Sequence, residues 1–194
     1  MNLLAWENYP LTRSGLRGTT LSGGSWCYIL LAARDKTGKH YFEADVFGGS
    51  SSWYTNFGYF LPTTGIAGNY WYRMDYRGGC YSNMGGGTVS CPGYAYNATV
   101  RLMCAYDFDA GKIWFGNDGV WVNGGDPANG VNPQYTNLAN YRGGSPGLGV
   151  FGAGNSAEFI EPENYLYLPA GFSPPTELPM VCLLYTSDAA DDLL

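Results

Sequence analysis

The chain has 194 residues, of which 16% are aromatic and only 13% charged, with 17 Tyr, 29 Gly and a net charge of −6. So many aromatics with so little charge exclude a disordered chain, and ten scattered basic residues exclude the basic face that nucleic-acid binding needs. No apolar run reaches the roughly 18 residues of a membrane span, and "MNLLAWENYP" lacks the basic and apolar regions of an export signal.

In chain order, strand-like segments recur with turn chemistry between them. Nowhere does an apolar i, i+3, i+4 pattern last the ten residues or so that a helix needs. "WCYILLAA" (26–33) is a short apolar run that ends at "RDKTGK". "HYFEADVF" (40–47) alternates, with Tyr41, Glu43 and Asp45 on one face and Phe42, Ala44 and Val46 on the other. "YTNFGYF" (54–60) and "YWYRMDY" (70–76) follow, and "TVRLMCAYDF" (99–108) puts Leu102, Cys104, Tyr106 and Phe108 on one side. "KIWF" (112–115), "VWV" (120–122), "LGVF" (148–151) and "AEF" (157–159) complete the set.

The turns are legible as well. "DAG" (109–111) is a three-residue connection, and "NDG" (117–119) ends in Asp-Gly, a strong hairpin signal. Together they predict a three-stranded meander from Arg101 to Val122, with Ile113 and Phe115 pointing inward. "NGGDPANGVNP" (123–133) reads as an ordered surface loop. Many short strands between such turns make the chain all-β, a sandwich or a barrel.

The last residues are a separate matter. "CLLYTSDAADD" (182–192) resembles a translated sequencing-library adapter, so 182–194 are set aside from the fold, and the natural sequence is expected to continue beyond about Met180. This removes Asp188, Asp191 and Asp192 and brings the net charge from −6 to −3. Residues 177–194 are treated as a tail, and 1–176 as one domain, long enough to bury a core unaided. Four cysteines then remain. Cys80 and Cys91 flank a prospective hairpin and a disulfide between them is one option, but without an export signal all four are expected to be free thiols used as small hydrophobes.

The ordered motifs carry a family resemblance. "TGKHYFEADV" is similar to the "GKwYfEv" strand of SPRY domains, and "YDFDAGKIWFGNDGVWVNGGDPANG" to their "lDldagkiwFgkNGvw…GdPatG" block. "NFGYF" (56–60) stands where the family has "vGi", and "YLPAGFSPPTELP" (167–179) resembles its "tPaGFkal" ending. The resemblance spans roughly residues 10–176. It implies a lectin-like, concanavalin-type β-sandwich of two antiparallel sheets. The first 25 residues match loosely, and "SAEFIEP" departs from the family's closing "NFGq" strand.

Four catalytic or ligand motifs fall short. Glu43 and Asp45 in "EADVFG" echo the Glu-x-Asp-x-x-Glu strand of retaining glucanases, but the second Glu is absent, so Glu43 is expected to be satisfied by hydrogen bonds within its strand. "GGSPG" (143–147) matches G-x-S-x-G, yet Pro146 has no N–H for an oxyanion hole. "DFDAGK" starts like a calcium loop without its later ligands, and an Asx-turn explains it. "GGG" (85–87) lacks the lysine and helix of a phosphate loop. Asn97-Ala98-Thr99 is a formal glycosylation sequon, and His40 has no catalytic partner and is read as structural. No cofactor, metal or enzymatic activity is expected.

Binding survives. Trp53, Tyr54, Tyr70, Trp71 and Tyr76, with Arg73 on the same strand as Trp71, are candidate ligand-binding residues, and Tyr141-Arg142 form a second group. Because a strand alternates, about half of the aromatics must face the core. The expectation is a soluble, non-catalytic recognition module for a protein partner, a phage or prophage structural or tail-associated particle component, with a carbohydrate-binding accessory domain as the alternative. Its location, on a virion or in the cytoplasm, stays open.

Overall fold

The two longest strands show why this sequence makes a sandwich. In β5 (Lys39–Phe47) and β10 (Thr99–Asp107) every second side chain is apolar, and pairing Ala44 with Leu102 and Phe42 with Cys104 brings both sets onto one face. The computed structural model describes residues 3–6, 11–14, 17–20, 26–31, 33, 35–47, 54–61, 70–75, 79–83, 88–90, 99–151 and 156–176. The other strands are β1 (Leu3–Trp6), β2 (Leu11–Ser14), β3 (Arg17–Thr20), β4 (Trp26–Leu31), β6 (Tyr54–Leu61), β7 (Tyr70–Asp75), β8 (Gly79–Ser82) and β9 (Thr88–Ser90). They are followed by β11 (Lys112–Asn117), β12 (Val120–Trp121), β13 (Ser145–Phe151) and β14 (Ser156–Phe159).

The strands form two seven-stranded antiparallel sheets, ordered β1-β4-β13-β6-β7-β8-β9 and β12-β11-β10-β5-β14-β3-β2. Among the described residues the helical content is three single 3₁₀ turns, at Val122–Gly124, Leu138–Asn140 and Pro162–Asn164. The core lies between the sheets. Phe42 and Phe57 meet across it at 4.8 Å, and Tyr59 and Tyr106 at 5.5 Å. Leu102, Cys104, Tyr106, Phe108, Ile113 and Phe115 all lie in this core, as alternation required.

The second sheet is also covered on its outer face. After β14 the chain crosses back over it as an extended strap, residues 160–176. Tyr165 and Tyr167 pack towards Tyr41, Met103, Ala105 and Trp114, and Phe172 meets the Trp114 ring edge-on at 6.2 Å. The strap then re-enters the sheet plane beside the start of β5, where Ser173 forms a parallel bridge to His40. The strap buries the outer face of β5, so the polar groups there, Tyr41 and Glu43, must find partners within the protein.

The meander β10-β11-β12 matches expectation. Asn117 pairs with Val120, leaving a two-residue loop in which Asp118 (φ 48°) and Gly119 (φ 82°) are both left-handed, the type I′ geometry. Asp118 Oδ1 also accepts the Arg101 amide at 3.0 Å. Gly119→Ala is therefore expected to cost about 1–2 kcal/mol, because the new Cβ would sit 2.8 Å from the Tyr167 ring. Asp118→Asn should stay within about 0.5 kcal/mol. Urea denaturation of the two variants checks the contrast.

The first turn and the N-terminal strands differ from the sequence expectation. Asp107 pairs with Lys112, so the first turn has four residues, 108–111, where three were expected. Its Asx-turn belongs to Asp107, whose carboxylate accepts the amides of Asp109 and Ala110 at 2.9 Å each. Asp109 instead accepts the distant Gly38 amide at 3.1 Å. The first 20 residues supply strands β1 to β3, which the loose match there did not reveal. Cys80 is disulfide-bonded, contrary to the expectation of free thiols throughout, whereas Cys104 is free and buried. Cys91 lies outside the described residues. The hairpin before it is present, with Cys80 paired to Val89.

Residues 123–133 form the ordered loop predicted. Asp126 and Val131 bridge across it, and the Asp126 carboxylate holds the Asn129 amide and side chain. The loop is fastened to β11 by Trp114 Nε1 donating to Val131 O (2.7 Å) and Lys112 Nζ donating to Gly130 O (2.8 Å).

Candidate binding face

Three polar centres could in principle act on a ligand: the carboxylates of β5, the loop after residue 140, and the outer face of the first sheet. In the first, Glu43 is fully buried, and its Oε1 accepts the Tyr41 hydroxyl (2.7 Å) and the Leu166 and Tyr167 amides (2.9 and 2.8 Å). Its Oε2 accepts Arg101 Nη1 at 2.7 Å. Arg101 stands opposite Asp45 in the register and grips it through Nε and Nη2. Those bonds, to Asp45 first, hold the guanidinium above its ordinary pKa, and burial with the Glu43 contact pushes the Tyr41 hydroxyl well up. Glu43 is thus satisfied by hydrogen bonds, as its strand position suggested, and it anchors the strap.

Ser145, from the G-x-S-x-G match, begins a regular strand and is buried against β6. A residue paired in a regular sheet, with no helix following it, supplies no nucleophile elbow. Among the described residues no group of three His, Cys, Asp or Glu is placed to hold a metal ion, and no helix is long and apolar enough to cross a membrane.

In the second centre, Tyr141 and Arg142 follow the 3₁₀ turn at 138–140. Arg142 Nε donates to Ala139 O (3.1 Å), Nη1 to Lys36 O (2.8 Å) and Nη2 to Phe108 O (2.9 Å), so its guanidinium links three chain segments. Tyr141 is half-buried and meets Tyr72 edge-on at 6.2 Å. Tyr72 also touches Tyr135 at 5.2 Å and donates its hydroxyl to Asn137 at 2.8 Å. Burial, then the neighbouring Tyr141 and Tyr135, pushes the Tyr72 hydroxyl above its ordinary range, which keeps it a donor.

The third centre follows from alternation in β7. Tyr72 and Met74 enter the core, so Arg73 between them is carried on the outer face, half-buried. Its guanidinium lies 5.4 Å over the ring of Tyr81, directly opposite on β8. On the other side Arg73 faces Gly58 of β6, which in turn faces Gly147 of β13, so one row across four strands reads Gly147, Gly58, Arg73, Tyr81. On the β6 side of Arg73, Gly58 contributes no side chain to this row. At the far end the row becomes apolar, since Phe60 and Leu30 lie over Gly147. The neighbouring row holds buried Asn56 opposite Asp75, whose carboxylate accepts the Gly79 amide.

Of the other predicted site residues, Trp71 pairs with Phe60, Tyr70 with Leu61 and Tyr54 with Phe151 in the strand register. Trp53 and Tyr76 lie outside the described residues. Tyr81, Gly58 and Gly147 were not among the predicted residues. The signal for Tyr81 was the prospective hairpin after Cys80, since a core-facing Cys80 puts Tyr81 on the opposite face.

No protein-family model and no curated protein sequence matches the chain. Solved structures do. The SPRY domain of human HERC1 is 16% identical with a TM-score of 0.56, over 77% of this chain and 90% of that one. The carbohydrate binding module CBM66 from Bacillus subtilis is 14% identical with a TM-score of 0.51, over 82% and 92% respectively. The chain has a SPRY-like, lectin-type β-sandwich fold.

Proposed function

We propose that the chain is a non-catalytic recognition module that binds a protein partner on the outer face of β6, β7 and β8. The observation that carries this reading is Arg73, stacked on Tyr81 and bordered by Gly58. An arginine held on an aromatic face loses little conformational freedom on binding, and Arg and Tyr are the residue types that dominate interface energetics. Trp71, Tyr70 and Tyr54 occupy the same strands, and Trp53, Tyr76, Tyr141 and Arg142 complete the candidate set. In its biological setting the module is a structural or tail-associated component of a phage or prophage particle, with the partner another protein of that assembly.

A second reading is glycan binding. The fold likeness to CBM66 supports it, together with the Tyr81 ring beneath Arg73. One paired experiment separates the two. The full chain is screened against a random peptide display library and a glycan array, with Arg73→Ala and Trp71→Ala alongside. Protein recognition is expected to yield acidic-aromatic peptides whose affinity drops about thirtyfold in Arg73→Ala, equivalent to roughly 2 kcal/mol, with thermal stability retained. Array glycans lost in Trp71→Ala would favour the lectin reading, and no ligand in either screen would sink both.

A further inference from the structure

His40 is the chain's single histidine, and no role described above uses its ring. It is buried at the start of β5, with ring centroids 5.4 Å from Tyr106 and 6.4 Å from Phe108. Each ring nitrogen faces a main-chain carbonyl: Nε2 lies 2.8 Å from Thr37 O, and Nδ1 3.3 Å from Pro174 O. The Asp35 carboxylate stands 3.7 Å from Nε2. All three neighbours are acceptors. A neutral imidazole has one N–H and one lone pair, so it can satisfy one carbonyl and must turn a lone pair towards the other. The imidazolium satisfies both and meets a carboxylate as well.

Pro174 belongs to the end of the strap, and its neighbours are tied to the same place. Ser173 N donates to Lys39 O (3.1 Å), Tyr41 N to Ser173 O (2.8 Å), and Thr176 N to the Asp35 carboxylate (3.1 Å). His40 and Asp35 thus hold residues 173–176 through groups that are 134 and 141 positions apart in sequence. We propose that His40 and Asp35 form a pH-sensitive clasp, which holds the end of the strap on β5 while the imidazole is protonated and loosens as it loses its proton.

Asp35 is the charged group against the ring. From β10 come Tyr106, whose hydroxyl donates to Asp35 at 3.2 Å, and the ring of Phe108, the residue that follows the strand. Among the described residues the strap end contributes the Pro174 carbonyl and no charge. Lys39, adjacent on β5, is directed to Asp107 (3.9 Å) and to the Phe172 ring (5.6 Å). The sign follows: the clasp is complete at the acidic end of the histidine range and weakens as pH rises. Its release removes support from Phe172 and hence from the outer layer over Trp114.

The single histidine makes the test direct. On the full chain labelled with ¹⁵N, long-range imidazole spectra from about pH 5 to about pH 8 report the state of His40 alone. Hydrogen exchange, corrected for its intrinsic pH dependence, reports protection of the Tyr41, Ser173 and Thr176 amides. The expected result is an imidazolium at the acidic end, and roughly tenfold loss of corrected protection as the ring deprotonates, the worth of one charge-assisted hydrogen bond. His40→Gln should abolish that pH dependence, and Asp35→Asn should lower the protection of the Thr176 amide across the whole range. A neutral ring throughout the range, or protection that ignores its titration, would overturn the clasp whether or not either variant folds.

Discussion

Glu43→Ala is expected to destabilise the fold by about 3–5 kcal/mol and to release the strap. Two effects compete for that figure. The Arg101 charge is left in place, but its grip on Asp45 survives, so it is not orphaned. The Tyr41 hydroxyl and the Leu166 and Tyr167 amides lose their acceptor. Each buried donor left unsatisfied costs about 1–3 kcal/mol, so the uncapped donors dominate. Glu43→Gln keeps an oxygen for those donors and sets an amide against Arg101, and should cost only about 1–2 kcal/mol. Urea denaturation measures both variants, and chymotrypsin cleavage at Tyr165 or Tyr167 reports the strap. An alanine variant within about 1 kcal/mol of wild type, with the strap still protected, would refute the anchoring role. The same Gln variant tests catalysis, since hydrolysis of a β-glucan panel by wild type that disappears in Glu43→Gln would restore the carboxylate chemistry set aside above.

Phe42→Ala, one residue earlier on the same strand, should cost about 3–5 kcal/mol for a different reason. Phe42 faces the opposite side of β5 and joins the two sheets, with ring centroids 4.8 Å from Phe57, 6.0 Å from Phe159 and 6.3 Å from Tyr106. Its removal leaves a cavity lined by rigid rings that cannot collapse into it. Phe42→Leu refills most of the space and is expected to recover more than half of the loss. A cost below about 1.5 kcal/mol for the alanine variant would show that the sheets meet elsewhere. The strap should stay anchored in Phe42→Ala and come loose in Glu43→Ala, a distinction that global stability alone would miss.

These adjacent residues show how much of the molecule is legible locally. Alternation over 40–47 separates the Phe42 face from the Glu43 face because a strand's side chains repeat every two residues, whatever surrounds it. The Asp118-Gly119 turn is equally local, since left-handed backbone at two successive positions restricts the residue types that fit. The same alternation places Arg73 between Tyr72 and Met74. That Tyr81 lies beneath it depends on the β7–β8 register, which no short window encodes. The first 20 residues were illegible as strands because their short runs have no core of their own. They pair with β4 and β14, or with one another, once those strands are in place.

What the sequence determined by itself is the all-β class, most strand positions, the meander and its turns, and the inward faces of β5 and β10. These depend on period-two patterning and turn stereochemistry, which act over a few residues. Only the tertiary structure decided what the polar residues do. Glu43 meets Arg101 58 positions away and the Tyr167 amide 124 positions away. His40 reaches Pro174, and Arg142 is committed to three carbonyls. A buried polar group must find a partner wherever the chain brings one, so its role is fixed by proximity in space.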